Sequence, residues 1–149
     1  MGQTFPNLEL SDLHNKPVEL KMASGRLLVL NFWATWCPPC RHEMPSLDRL
    51  SHLLDSDRVA IVGISMDSDD HLVREFLLER KIFFRNLMDR DMTQTTARIG
   101  IRVFPSTFYV GPDGKLLKVD EGGKVWDTPE VVREIKSLLA AYDKPLKNK

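Results

Sequence analysis

Cys37 and Cys40 are separated by Pro38 and Pro39 and stand between two strongly patterned segments. Before them, Leu27-Leu28-Val29-Leu30-Asn31-Phe32-Trp33 is short and almost wholly apolar, the pattern of a central strand covered on both faces. After them, Met44, Leu47, Leu50 and Leu54 recur at helical steps and predict one buried stripe on a helix, which Pro45 is expected to kink. A buried strand feeding directly into an amphipathic helix commits the chain to an α/β arrangement with the cysteine pair at the junction. These are the only two cysteines, too few for a disulfide-dense scaffold. A bridge closing so short a loop stabilises by about 2 kcal/mol in the chain-entropy account, against about 4.7 kcal/mol for a loop of about 100 residues. Redox chemistry therefore explains the pair better than structural stapling.

The remaining pattern extends the α/β reading. Leu8 and Leu10, then Val18 and Leu20, alternate with polar residues around Asn15-Lys16-Pro17 and predict an N-terminal β-hairpin. Val59 to Ser65 reads as a second buried strand, followed by a helix with Leu72, Val73, Phe76 and Leu77 on one face, capped at Ser68 or Asp69. Ile82-Phe83-Phe84 predicts another strand, and Asp91 to Ile99 a short helix ended by Gly100 in the left-handed conformation. Thr107 to Val110 and Leu116 to Val119 flank Gly111-Pro112-Asp113-Gly114 and should pair as an antiparallel hairpin, so the sheet is expected to be mixed. Thr128 and Pro129 open a last helix with the stripe Val131, Ile135, Leu138 and Tyr142. With 149 residues, 42% of them hydrophobic, one domain over 1–149 is expected, ending in a solvated tail over 143–149.

Charge excludes some partners. Lys+Arg and Asp+Glu stand at 21 each, so no overall field recruits nucleic acid or an anionic membrane surface. No apolar run approaches the roughly 20 residues needed to span a bilayer, and Met1 to Pro6 lacks the basic and apolar regions of a signal peptide. A soluble chain is expected; its compartment stays open, because a leader or anchor can be removed.

A Cys-x-x-Cys pair at a helix start makes its two thiols unequal. Cys37 should sit at the mouth of the helix, where unpaired N–H groups and the positive end of the dipole favour thiolate. Its thiolate would attack a substrate disulfide, and Cys40, one turn inward, would then resolve the mixed disulfide. The alternative is half of a zinc site, but no second Cys/His pair exists and His14, His52 and His71 are scattered. His42, two residues after Cys40, points around the helix from it. No metal and no cofactor beyond the Cys37–Cys40 disulfide is expected.

Asn31-Phe32-Trp33-Ala34-Thr35-Trp36-Cys37-Pro38-Pro39-Cys40-Arg41-His42-Glu43-Met44-Pro45 resembles the active-site signature of thioredoxin-like proteins. Within that superfamily the chain is most similar to the TlpA/ResA-like bacterial envelope reductases of the cytochrome c maturation type. The similarity extends through Phe104-Pro105-Ser106-Thr107-Phe108 and the Gly111 to Gly114 hairpin. It implies a thioredoxin-like fold, a central mixed sheet flanked by helices on both faces, with an N-terminal β-hairpin and an inserted βα unit. It implies that Pro105 is a cis-proline opposite the disulfide and that Phe104 offers its backbone to an extended substrate, with Trp36 and Pro38 adding contact surface. The other reading of Trp36 is a surface-packed aromatic, while Trp33 belongs in the core. Glu43 matches an acidic position of this group and is the candidate acid/base; an exposed helical glutamate is the alternative. Many thioredoxins carry a buried Asp where this chain has Asn31, which cannot titrate. Arg41 and His42 read best as a solvated helix face.

By resemblance the function is reduction of oxidised protein thiols in the bacterial periplasm or cell envelope, with an apocytochrome c cysteine pair as a substrate and a membrane thiol-disulfide donor as electron source, by a monomer. Oxidase or isomerase action of the same dithiol and a cytoplasmic setting are the alternatives. A peroxiredoxin-like thiol peroxidase is a rival, but that pattern places threonine three residues before the reactive cysteine, where this chain has Ala34. A passive peptide-binding module fits poorly with two retained cysteines.

Overall fold

The computed structural model describes residues 2–143. Its elements are β1 (Leu8–Ser11), β2 (Pro17–Leu20), β3 (Leu27–Trp33), α1 (Pro38–Ser51), β4 (Val59–Ser65), α2 (Asp70–Arg80), β5 (Arg85–Met88), a π-helix (Thr93–Ile99), β6 (Ser106–Val110), β7 (Leu116–Glu121) and α3 (Pro129–Ala140). The strands form one seven-stranded sheet in the order β2-β1-β5-β4-β3-β6-β7. Strands β3, β4 and β5 run parallel, and every other neighbour is antiparallel. The mixed sheet, both hairpins and the extra βα unit are thus as expected.

Strand β3 is central, and all seven of its residues are buried. Its two faces differ. Asn31 and Trp33 point towards the helices, Asn31 bonding Glu43 of α1 and Trp33 stacking on Phe76 of α2. Phe32 points the other way, edge-on to Phe108, with Phe5 against that ring too. The crossovers β3-α1-β4 and β4-α2-β5 step the same way across the sheet, and right-handed connections put both helices on one face. Asp48 ties them together: its Oδ1 accepts the N–H groups of Phe83 and Phe84, just after α2, at 2.7 and 3.1 Å. The π-helix belongs to the opposite face, where Ile99 and Ile101 line a cleft with Phe108.

Several sequence expectations are corrected. Ile82-Phe83-Phe84 is not a strand; the strand starts at Arg85, paired with Val62. Lys81 closes α2 in the left-handed conformation (φ 58°), and Asp48 takes the next amides, so that backbone is committed to α1 rather than to a ladder. The helix expected over 91–99 is a π-helix from Thr93, its start held by Asp89, whose Oδ2 accepts from the amides of Gln94 and Thr95. Gly100 ends it at φ 87°, as expected. Leu54 lies beyond α1, Leu72 is exposed, and α3 buries Val131, Ile135 and Leu139, leaving Leu138 half-buried and Tyr142 exposed past the helix end. Asp69 and Thr128 are the caps of α2 and α3. Of the expected tail, 144–149 lie outside the described residues, and Asp143 pairs with Arg58.

Because Asp48 is buried and satisfies two amides, Asp48→Ala leaves them without a partner. A loss of about 1–3 kcal/mol is expected in urea unfolding.

Candidate active site

The site lies at the carboxyl end of the parallel strands, where β3 turns into α1. Cys37 is the N-cap of α1, with extended backbone (φ −105°, ψ 107°), and is disulfide-bonded to Cys40 with the Cα atoms 5.3 Å apart. The two sulfurs are unequally sheltered: Cys37 is 6% exposed and Cys40 is 0%. This is the asymmetry a nucleophile and a resolving thiol require.

A helix normally offers its first N–H groups to whatever sits at its mouth. Here Pro38 and Pro39 occupy the first two helical positions and have no N–H to give. The Arg41 amide bonds the Cys37 carbonyl at 3.1 Å. Stabilisation of a Cys37 thiolate by the backbone is thereby cut to the Cys40 amide and the helix dipole.

Across from the disulfide, the Phe104-Pro105 peptide is cis, as the resemblance implied. The Phe104 carbonyl lies 3.6 Å from Cys37 Sγ, so that backbone and sulfur share one surface. Trp36 is 58% exposed and meets the Phe104 ring edge-on, with centroids 6.2 Å apart. Trp36 is thus on the rim, and Trp33 is fully buried. Pro38 is exposed beside them.

Glu43 is buried rather than solvated. It follows Cys40 by three positions, on the same side of α1. Its Oε1 accepts from Trp126 Nε1 at 2.8 Å and from the Lys124 amide at 3.2 Å; its Oε2 accepts from Asn31 Nδ2 at 2.8 Å. Burial pushes the carboxyl pKa above its ordinary value, against the pull of those hydrogen bonds and the nearby Lys124 charge. Asn31 also donates to Thr107 Oγ1 at 3.0 Å, and its own Oδ1 is buried without a partner. A cleft of 230 Å³ lined by Pro39, His42, Gly123, Lys124 and Val125 reaches Glu43 from outside. The carboxyl is therefore packed in the core yet open to proton exchange at one edge.

The structure brings together Trp36, Cys37, Cys40, Phe104 and Pro105, with Pro38 exposed at the start of α1 and Glu43 three positions beyond Cys40 along it. Arg41 and His42 are exposed, as read. Sequence reasoning missed Trp126 and Lys124, which belong to a loop approaching α1 so closely that a Cβ on Gly123 would lie 3.4 Å from the Pro39 carbonyl. No local spacing could point to them, since Trp126 meets Glu43 across 83 positions of sequence. Among the described residues, no group of three or more His, Cys, Asp or Glu side chains could hold a metal.

The AhpC/TSA family model matches residues 1–119. The thiol-disulfide oxidoreductase ResA of Halalkalibacterium halodurans is 30% identical over 138 residues, 93% of this chain and 76% of that protein. The ResA of Bacillus subtilis is 32% identical over 121 residues, 81% of this chain and 67% of that protein. Among solved structures, a Chlorobium tepidum protein assigned as the thiol:disulfide interchange protein DsbE superposes with TM-score 0.80 at 25% identity, covering 93% of this chain and 96% of that one. A secreted Mycobacterium tuberculosis disulfide oxidoreductase homologous to E. coli DsbE gives 0.69 at 25% identity, covering 90% and 95%. The likeness thus runs through both the strand-to-helix junction that carries the disulfide and the segment that faces it. The chain belongs to the AhpC/TSA family, among its thioredoxin-like thiol-disulfide oxidoreductases.

Proposed function

We propose that the protein works as a reductase of protein disulfides, with Cys37 as nucleophile, Cys40 as resolving thiol and Glu43 as the acid/base beside it. In the reduced enzyme the Cys37 thiolate attacks one sulfur of the substrate disulfide. The bond from Cys37 Sγ to that sulfur forms as the substrate S–S bond breaks, and the departing sulfur takes up a proton. Cys40 then gives its proton to the Glu43 carboxylate and attacks Cys37 Sγ. The second substrate sulfur leaves, two electrons have passed to the substrate, and the Cys37–Cys40 bridge remains. A second dithiol must reduce that bridge. Phe104 and Pro105 align the substrate backbone, Trp36 and Pro38 supply apolar contact, and no cofactor beyond the dithiol takes part.

Direction rests on one observation, the two prolines at the mouth of α1. A dithiol is strongly oxidising when its reduced form is strongly stabilised as thiolate. Removing two donors weakens that stabilisation and favours the disulfide form, which suits a reductase. The protein is to be equilibrated in glutathione and dithiothreitol buffers while tryptophan fluorescence is followed. A reduction potential near or below about −250 mV is expected, and a value of about −120 to −180 mV would overturn the direction in favour of oxidase or isomerase.

The similarity to ResA proteins along most of the chain supports oxidised protein thiols as substrates. We extend the reading to the cysteine pair of an apocytochrome c, to a membrane thiol-disulfide donor and to action as a monomer in the cell envelope. The secreted relative is in keeping with that setting. No helix among the described residues is long and apolar enough to cross a membrane. Peroxide reduction is disfavoured: Ala34 stands three residues before Cys37, and the Thr35 hydroxyl is engaged by Asp67 Oδ1 at 2.5 Å.

A further inference from the structure

The surface around Cys37 has a second side. A cleft of 260 Å³ is lined by Trp36 and Pro38, which flank Cys37 in sequence, together with Arg41, His42 and Arg80. Two elements supply its charge: Arg41 comes from the first turn of α1, and Arg80 is the last residue of α2. Their guanidinium carbons converge on one ring, 5.7 and 5.1 Å from the centroid of Phe76. That ring is itself anchored against buried Trp33. The aromatic face holds both cations without neutralising either.

Arg49, Arg58, Arg74, Arg90 and Arg133 all pair with carboxylates. Arg41 and Arg80, like Arg26, Arg85, Arg98 and Arg102, have no carboxylate partner among the described residues; both are exposed, and they alone share one ring. Asp67, beside the same strand end, is buried and occupied by Thr35 and Ser65. Two like charges are therefore brought together in a cleft beside the residues that flank Cys37 and left without a carboxylate, in a chain whose formal charge is zero. A free carboxylate relieves that repulsion and matches the planar donor fork of a guanidinium.

We propose that this cleft receives an acidic side chain of the substrate protein, an Asp or Glu beside the target disulfide. The inference rests on the reductase reading and adds a specificity to it: partners presenting an acidic residue next to the cystine are reduced faster than those presenting a basic one.

The test uses two disulfide-bonded peptides that differ only in carrying Glu or Lys beside the cystine, reduced by the full chain in its dithiol form. A Glu-to-Lys ratio of kcat/KM of about tenfold is expected at low salt, shrinking at about 1 M salt as the charges are screened. In Arg41→Gln/Arg80→Gln the ratio is expected to fall to within about twofold of one, and Arg80→Glu alone, an exposed change at a helix end, should lower it in the same direction. A ratio cancels any change in Cys37 reactivity or in the folded fraction, which act on both peptides alike. A wild-type ratio near one, or a ratio that survives in the variants, would overturn the proposal. If the wild-type dithiol reduces neither peptide, the reductase reading itself falls and takes the cleft's role with it.

Discussion

Cys40→Ser is expected to stop the reaction halfway, with the substrate held on Cys37 as a mixed disulfide. Cys37 is reachable and Cys40 is sealed, so only the first exchange survives when the inner thiol is lost. Intact-mass spectrometry should show the protein carrying one substrate molecule, released by dithiothreitol, and multiple turnover should fall by about a thousandfold or more. Cys37→Ser should give neither adduct nor turnover, because a thiol with no exposed surface cannot take its place. The folding cost of losing the bridge is only about 2 kcal/mol, since so short a loop contributes little closure entropy. An adduct that forms in Cys37→Ser would reverse the assignment of the two sulfurs.

Glu43→Gln is expected to slow resolution of the mixed disulfide by about a hundredfold, within the range general acid–base catalysis supplies. The size of the group is kept, so its effect is to be read in the pH profile. In the wild type, the resolving rate should rise with pH as Glu43 ionises, above the ordinary carboxylate range because burial raises its pKa. In the variant that inflection should vanish. Folding stability provides an independent reading. A carboxyl whose pKa is raised by folding adds stability that is fully present below its unfolded pKa and is lost as pH rises through the folded value. Urea unfolding of the wild type should therefore weaken through that window, and Glu43→Gln should flatten this part of the curve. To accept from the side-chain amide that Glu43→Gln introduces, Asn31 must turn its amide, which puts Nδ2 where Oδ1 now has no partner, so the folded fraction of the variant is to be measured beside its kinetics. Unchanged resolving kinetics in a folded Glu43→Gln protein would remove the acid/base role.

The sequence was most legible where local pattern and tertiary demand agree. Leu27 to Trp33 is apolar throughout because β3 is covered on both faces, and the start of α1 at Pro38 follows from a proline placed where no N–H is required. The Gly111 to Gly114 turn and the cap at Thr128 are equally local and are as read, and of the two candidate caps of α2, Ser68 and Asp69, it is Asp69. Reading failed where a distant residue decides. β5 opens on Arg85 and Asn86, which broke the apolar run, yet Asn86 is buried because Trp33 Nε1 donates to its Oδ1 at 2.9 Å. A polar residue that satisfies an indole is invisible to periodicity. The burial of Glu43 has the same origin: its three donors come from β3 and from a loop late in the chain, so position on α1 marked it as a candidate without deciding between core and solvent.

Both outer edges of the sheet are blunted against self-association. At one end β2 is four residues long and begins with Pro17, which lacks the donor a neighbouring strand would need. At the other, the start of β7 is paired by residues 2–4: Thr4 bridges Lys115, and residues 2 and 3 exchange backbone hydrogen bonds with Leu116. Unpaired edge strands are the usual templates for polymerisation, and short length, proline and self-cover are the usual remedies. The protein thiols proposed as its substrates come on other polypeptide chains, and any exposed strand among them is a partner for an open edge. With β2 short and the start of β7 paired, the open rim left at each end of the sheet is shortened, and with it the stretch on which another chain could anneal.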